Sequence, residues 1–159
     1  MLEIVTPLGP LYIQIEEGYV CRCSWHGPTS QLSKSETIRS TQADFDCAEK
    51  AVREINAYFS GNLKEFSLPL RIEGTYFQKK VWNALLHIKY GMTETYGELA
   101  KRIGNPKAAR AVGMACKNNP LGLMIPCHRV VGSRSKKGGY NGGIEKKIYL
   151  LEFEERNSP

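Results

Sequence analysis

The chain has 159 residues, of which 42% are hydrophobic, 24% charged and 9% aromatic. That composition suits one globular domain or two small ones and excludes disordered, collagenous and fibrous classes. Lys and Arg number 22 against 16 Asp and Glu, a net charge of +6. The excess is uneven: residues 1–70 hold 6 basic and 9 acidic side chains, and residues 71–159 hold 16 and 7. Between Glu98 and Glu145 there is no acidic residue, while nine Lys/Arg fall there. A polyanion partner, most simply nucleic acid, is one reading of that zone; a solvated basic face is the other.

Met1-Leu2-Glu3-Ile4 has no basic region leading into an apolar stretch, and apolar runs such as 121–126 are too short to span a bilayer. The expectation is an intracellular protein with no membrane association. Five cysteines, Cys21, Cys23, Cys47, Cys116 and Cys127, make an odd count without a small-scaffold framework. In an intracellular chain that points to thiol chemistry, metal or plain burial.

In chain order, residues 2–5, 11–15 and 19–25 read as short strands punctuated by Pro7, Gly9, Pro10 and Gly18. Residues 27–42 read as a polar surface loop. Phe45, Ala48, Val52, Ile55 and Phe59 then recur at helical spacing, closed by Gly61. A connector at 67–74 coincides with the change of charge sign, so domains 1–70 and 71–159 are expected. Thr75-Tyr76-Phe77-Gln78 is a capping box, with Phe77, Val81, Leu85 and Ile88 as the stripe of its helix and Gly91 as its end. Thr95-Tyr96-Gly97-Glu98 opens another helix, which Gly104 stops. Asn105 as cap and Pro106 at the first position predict a following helix to about Lys117. Two short helices around a Gly-containing turn make a helix-turn-helix pattern, the second bearing Lys107, Arg110 and Lys117. A last helix is predicted from about Gly143 to Glu155.

Ile125-Pro126-Cys127-His128-Arg129-Val130-Val131 stands out chemically. A thiol becomes a good nucleophile as the thiolate, which adjacent basic groups favour. A structural cysteine beside a chance histidine is the competing reading of that pair alone.

Pro126-Cys127-His128-Arg129-Val130 resembles the active-site signature of the O6-alkylguanine-DNA alkyltransferases, the methylated-DNA–protein-cysteine methyltransferases. The resemblance extends, in order and spacing, to Phe77 with Val81-Trp82 and to Thr95-Tyr96-Gly97-Glu98-Leu99-Ala100. It continues through Gly104-Asn105-Pro106-Lys107-Ala108-Ala109-Arg110-Ala111-Val112-Gly113, Asn119-Pro120 and Gly139-Tyr140-Asn141-Gly142-Gly143. It is close over residues 75–155 and loose in the N-terminal half, chiefly through Thr6-Pro7-Leu8-Gly9-Pro10-Leu11.

The fold implied is α/β, with a small ribonuclease H-like N-terminal domain and a mainly helical winged-helix domain. The implied activity repairs double-stranded DNA containing O6-alkylguanine, and O4-alkylthymine as a further substrate, by transfer of the alkyl group to Cys127. The resulting thioether is not hydrolysed, so each chain would act once, as a monomer, with no cofactor and no metal. Its place would be the cytoplasm, or the nucleus in a eukaryote.

The resemblance makes His128 the base acting through a water, Glu154 its orienting carboxylate, and Tyr96 the proton donor to the departing guanine. Asn119 would tie the DNA-binding helix to the cysteine turn. Arg110 would fill the gap left by a flipped base, and Lys107, Lys117 and Arg129 would add DNA contacts. The small residues Ala108, Ala109 and Gly113 would permit close approach to the minor groove. Tyr140, Asn141, Gly142, Val130 and Cys116 would shape the base pocket. The zinc ligands of some members have no counterparts, although Cys21, Cys23, His26 and Cys47 form a Cys3His set of different spacing. A disulfide from Cys47 to Cys21 or Cys23 is a further alternative. Competing functions are a non-catalytic binder of alkylated DNA, a Cys-His hydrolase and a helix-turn-helix regulator.

Overall fold

The computed structural model describes residues 1–28, 40–135 and 138–159, so residues 29–39 of the expected loop lie outside the described residues. The chain forms two compact units, Met1–Ile72 and Glu73–Pro159. Among the described residues no helix is long and apolar enough to cross a membrane.

The first unit is a three-stranded antiparallel meander of β1 (Leu2–Thr6), β2 (Gly9–Glu16) and β3 (Tyr19–Ser24), covered by helix α1 (Gln42–Phe59). Alternation turns Ile4, Leu11, Ile13, Val20 and Cys23 into the core. Thr6 pairs with Gly9 at the first hairpin, where Gly9 takes a φ of +98° that a side chain would resist. Thr41 caps α1 in a reciprocal box with Asp44, whose carboxylate also accepts from Gly18 N at 2.8 Å.

The face that α1 buries differs from the predicted stripe. Cys47, Ala51, Glu54, Ile55 and Tyr58 are inside, whereas Phe45 and Val52 are exposed. The helical period is the expected one, but a carboxylate and a phenol occupy the inner face. Glu54 belongs there because it accepts from both Ser67 N, at 2.9 Å, and the Ser67 hydroxyl. It anchors the strap that continues to Leu70, where Val20 N donates to Pro69 O at 2.8 Å and Arg71 N to Val20 O at 2.9 Å.

The second unit runs α2 (Tyr76–Leu85), β4 (Glu94–Thr95), α3 (Tyr96–Arg102), α4 (Ala109–Lys117), a 3-10 turn at Cys127–Arg129, β5 (Val130–Val131) and α5 (Ile144–Asn157). Thr75 with Gln78, and Thr95 with Glu98, close the capping boxes that open α2 and α3. Helix α2 ends at Leu85, short of Gly91. Helix α4 begins at Ala109 rather than after Asn105: residues 105–108 form a turn in which Ala108 N donates to Asn105 O at 2.9 Å. Pro106 has the backbone angle that this turn requires, as well as the one a helix start requires, so the local signal is ambiguous. Trp82 ties α2 to the end of α4 by an indole donor to Ala115 O at 2.8 Å, inside a core with Val81, Leu85, Leu99, Val112, Leu121 and Leu150.

Glu54→Ala should leave Ser67 N and its hydroxyl without their acceptor and cost ~2 kcal/mol of stability. Urea unfolding of the variant should show a lower midpoint, with α1 the first element to lose amide-exchange protection.

Candidate active site

Strands β4 and β5 form a parallel ladder, Glu94 opposite Val130 and Thr95 opposite Val131. The strand that leaves the Cys127 turn is thereby registered beside the residue that starts α3, which is Tyr96. The turn is held by Cys127 N donating to Ile125 O at 2.8 Å and Arg129 N to Pro126 O at 3.0 Å. Every residue from Leu121 to Val130 is buried. Leu123 sits in this stretch with φ +70°, a left-handed conformation that costs a non-glycine residue ~1–2 kcal/mol.

Asn119 connects the end of α4 to the turn. Its amide nitrogen lies 2.9 Å from Ile125 O and 3.2 Å from Cys127 Sγ, and its oxygen accepts from Leu121 N at 2.9 Å. Burial pushes the Cys127 thiol up from its ordinary value, while the Asn119 donor and Lys147 pull it back toward the thiolate. His128 is wholly buried and its Nε2 is 2.7 Å from Glu154 Oε1. Burial lowers the His128 pKa against the opposing pull of Glu154, so the ring is neutral. With the ring hydrogen on Nε2 facing the carboxylate, Nδ1 keeps the basic lone pair and has no protein hydrogen-bond partner.

Glu154 gathers further donors from Arg129: Nε to Oε2 at 2.9 Å and Nη2 to Oε1 at 3.0 Å. Gly91 N adds 3.2 Å to Oε2. Burial works against its charge, but His128 and Arg129 together hold the carboxyl well below the usual carboxylate range. The third guanidinium nitrogen of Arg129 donates to Ile88 O at 2.7 Å, and the group lies 5.6 Å from the Tyr90 ring centroid. Arg129 was expected at the DNA surface. It is buried instead, because the fork of donors that would suit a phosphate is turned inward onto a carboxylate.

Tyr96 is half-buried, and burial, with the two thiols Cys116 and Cys127 behind it, pushes its phenol up to about 12. Cys116 is itself pushed up to about 12 by burial and by Cys127, so it is a protonated filler in the same pocket. Tyr140 is buried, its ring edge-on to His128 at 6.4 Å between centroids. Along the chain from it Asn141 is exposed and Gly142 half-buried, while Val130, after the cysteine turn, is buried.

On α4 the inner side is Val112, Ala115 and Cys116. Arg110 and Lys117 are exposed, as is Lys107 in the preceding turn; Ala108, Ala109 and Gly113 are half-buried. Gly113 lies against the Tyr96 ring, where a Cβ would sit 3.7 Å away. Met114, 57% exposed between Arg110 and Lys117, belongs to the same outer row and escaped the sequence reading. Lys147 also escaped it. Its spacing with Leu150, Leu151 and Glu154 is that of one helix face, which is the signal that could have found it. Cys21, Cys23, His26 and Cys47 do not form a metal cluster: among the described residues no group of three or more His, Cys, Asp or Glu converges. All five cysteines are free thiols.

Two family models match the chain. The description "6-O-methylguanine DNA methyltransferase, ribonuclease-like domain" covers residues 4–72, and "6-O-methylguanine DNA methyltransferase, DNA binding domain" covers residues 76–156. A methylated-DNA–protein-cysteine methyltransferase of Methanosarcina acetivorans is 55% identical over 149 residues, 94% of each chain. One from Mycobacterium leprae is 50% identical over 150 residues, covering 94% of this chain and 88% of the relative. Among solved structures, Mycobacterium tuberculosis OGT in complex with DNA superposes with a TM-score of 0.85 at 41% identity, over 99% of this chain and 93% of that one.

Glu154→Gln should cost ~3–5 kcal/mol at neutral pH, because the Arg129 charge stays buried without its partner. The native protein should lose stability as pH falls. His128 contributes first, below ~6.5, since the unfolded chain takes up a proton that the buried ring refuses. Glu154 follows below ~4.3, where the unfolded carboxyl protonates while the folded one stays charged. Urea midpoints from neutral to acid pH should fall in both ranges for the native chain, with a smaller acid fall for Glu154→Gln.

Proposed function

Since the chain belongs to the 6-O-methylguanine-DNA methyltransferase family and has the DNA-repair activity of a methylated-DNA–protein-cysteine methyltransferase, we propose that Cys127 is the alkyl acceptor and that the transfer is irreversible. The observation that carries this reading is the buried chain of contacts Asn119–Cys127 and His128–Glu154, with a histidine lone pair that no protein donor occupies. His128 takes the thiol proton at Nδ1 through a bridging water, and Glu154 steadies the imidazolium formed. Asn119 and the local positive charge stabilise the thiolate. Its sulfur bonds the alkyl carbon, the carbon–O6 bond breaks, and the electron pair returns to the purine, which takes a proton from Tyr96. A thioether has no leaving group that water can displace, so the chain is spent after one turnover; this departs from covalent catalysis, in which the adduct is released.

The partner is double-stranded DNA carrying O6-alkylguanine, with O4-alkylthymine as a second substrate. A thiol this deep reaches its target only if the nucleotide leaves the stack. Arg110, exposed on α4, fills the space that the flipped base vacates, and Lys107 and Lys117 bind phosphates. Tyr140, Asn141 and Gly142 line the base pocket with Val130 and Cys116.

Incubation with a duplex holding one O6-methylguanine should add one methyl per chain, mapped by mass to Cys127 and absent in Cys127→Ser. Tight lesion binding without a mass gain would instead make the chain a damage binder. Arg110→Ala should slow transfer about tenfold at limiting DNA, equivalent to ~1.4 kcal/mol of the few kcal/mol that flipping costs. Rates on duplexes of different flanking sequence should agree closely.

A further inference from the structure

Helix α4 carries one large apolar side chain on its outer row, Met114, which is 57% exposed. A lone apolar residue on a surface is ordinary, but this one stands among cations. Arg110, one turn before it, and Lys117, one turn after it, are both exposed, and no acidic residue lies between Glu98 and Glu145. The thioether is therefore set in the face that Arg110 and Lys117 turn toward DNA, yet it has no charge to offer a phosphate.

Successive side chains of an α-helix are turned by about 100°, which orders the residues of α4 around its axis. One flank carries Gly113, against the Tyr96 ring, and Cys116, behind that ring with Cys127. This flank borders the pocket that takes the extruded base. Ala115 lies on the other flank, where its carbonyl accepts from the Trp82 indole at 2.8 Å. Arg110 and Lys117 run along the middle of the exposed face. Met114 is turned about 40° from Arg110 toward the Ala115 flank, and Gly113 about 60° toward the Tyr96 flank. The arginine thus stands between the methionine and the pocket. An arginine in the gap left by a flipped nucleotide has that nucleotide's strand on its pocket side and the orphaned partner's strand on the other.

We propose that Met114 is an apolar wedge that packs on the strand opposite the lesion, against the sugar and base edge of the orphaned nucleotide. The proposal rests on the reading of α4 as the helix under which the duplex lies and of Arg110 as the residue in the gap. The side chain suits the task. An unbranched thioether adapts its shape and packs on an aromatic face without choosing among donors and acceptors, so it supports whichever base has lost its partner. Its contribution is contact area, which salt does not screen, whereas a phosphate contact from Lys117 releases a counterion and weakens with salt.

The test compares affinity for an O6-methylguanine duplex with affinity for the same lesion in a single strand, across a series of salt concentrations. Every chain carries Cys127→Ser, so that no transfer follows binding. Met114→Ala should weaken duplex binding about fivefold and single-strand binding by no more than about twofold. The slope of log affinity against log salt should stay at its starting value, whereas Lys117→Ala should reduce it by about one unit. Met114→Leu, which keeps the apolar bulk, should retain most of the duplex affinity. Truncation at this exposed position leaves the inner side of α4, Val112, Ala115 and Cys116, in place. Undiminished duplex binding by Met114→Ala, an equal loss on the single strand, or a reduced salt slope would overturn the proposal while leaving α4 as the DNA-facing helix. Duplex affinity unchanged in both Arg110→Ala and Lys117→Ala would overturn the reading of α4 itself, and the proposal with it.

Discussion

A carboxylate that accepts from His128 Nε2, two nitrogens of Arg129 and the Gly91 N–H has to remain ionised inside the protein, and much of the second unit is arranged around that requirement. Glu154 brings three separated pieces of chain to one point: the end of α5, the turn at Cys127–Arg129 and the stretch leading into β4. Its bonds to consecutive side chains, His128 and Arg129, fix the orientation of the turn that presents Cys127. The guanidinium keeps the carboxyl charged whether the imidazole is neutral or protonated. That separates the demand for a permanent anion from the demand for a base that can change its state.

Helix α5 supplies the opposite charge as well. Lys147, Leu150, Leu151 and Glu154 form one buried row, with a cation at one end and an anion at the other. The anion reaches His128, and the cation reaches Val130 O and Tyr96. One rigid element thus holds both sides of the cysteine turn, and the apolar residues between the two charges keep water from shielding one from the other. Around Cys127 the charges of Lys147 and Arg129 exceed that of Glu154 by one, and that surplus favours a thiolate over a thiol.

What the sequence disclosed followed the range of the forces involved. The capping boxes at Thr75 and Thr95 were legible because their hydrogen bonds close within one turn of chain. The meander was legible from alternation and its turn residues. The inner face of α1 was not, because Glu54 looks like a surface residue until Ser67 is brought to it. The start of α4 was not, because Asn105-Pro106 suits a turn and a cap equally. In the site, the resemblance drew attention to Cys127, His128, Glu154, Asn119 and Tyr96, and the structure brings these residues into one neighbourhood. The inward turn of Arg129 and the burial of Lys147 depended on partners 25 and 17 residues away, beyond any local signal.

The ladder between β4 and β5 has only two residue pairs, and parallel strands cannot be joined by a tight turn. Their crossover is the helix pair α3–α4 followed by residues 118–129, which are buried from Leu121 onward. The surface bearing Arg110 and Lys117 and the connection that sets the register of the cysteine turn are therefore the same length of chain. Asn119 links any displacement of α4 to the turn, just after the exposed residues Lys117 and Asn118. Side chains on the outer row of α4 answer to what lies under the helix, whereas the length and path of the crossover also set the step between the thiol and the phenol.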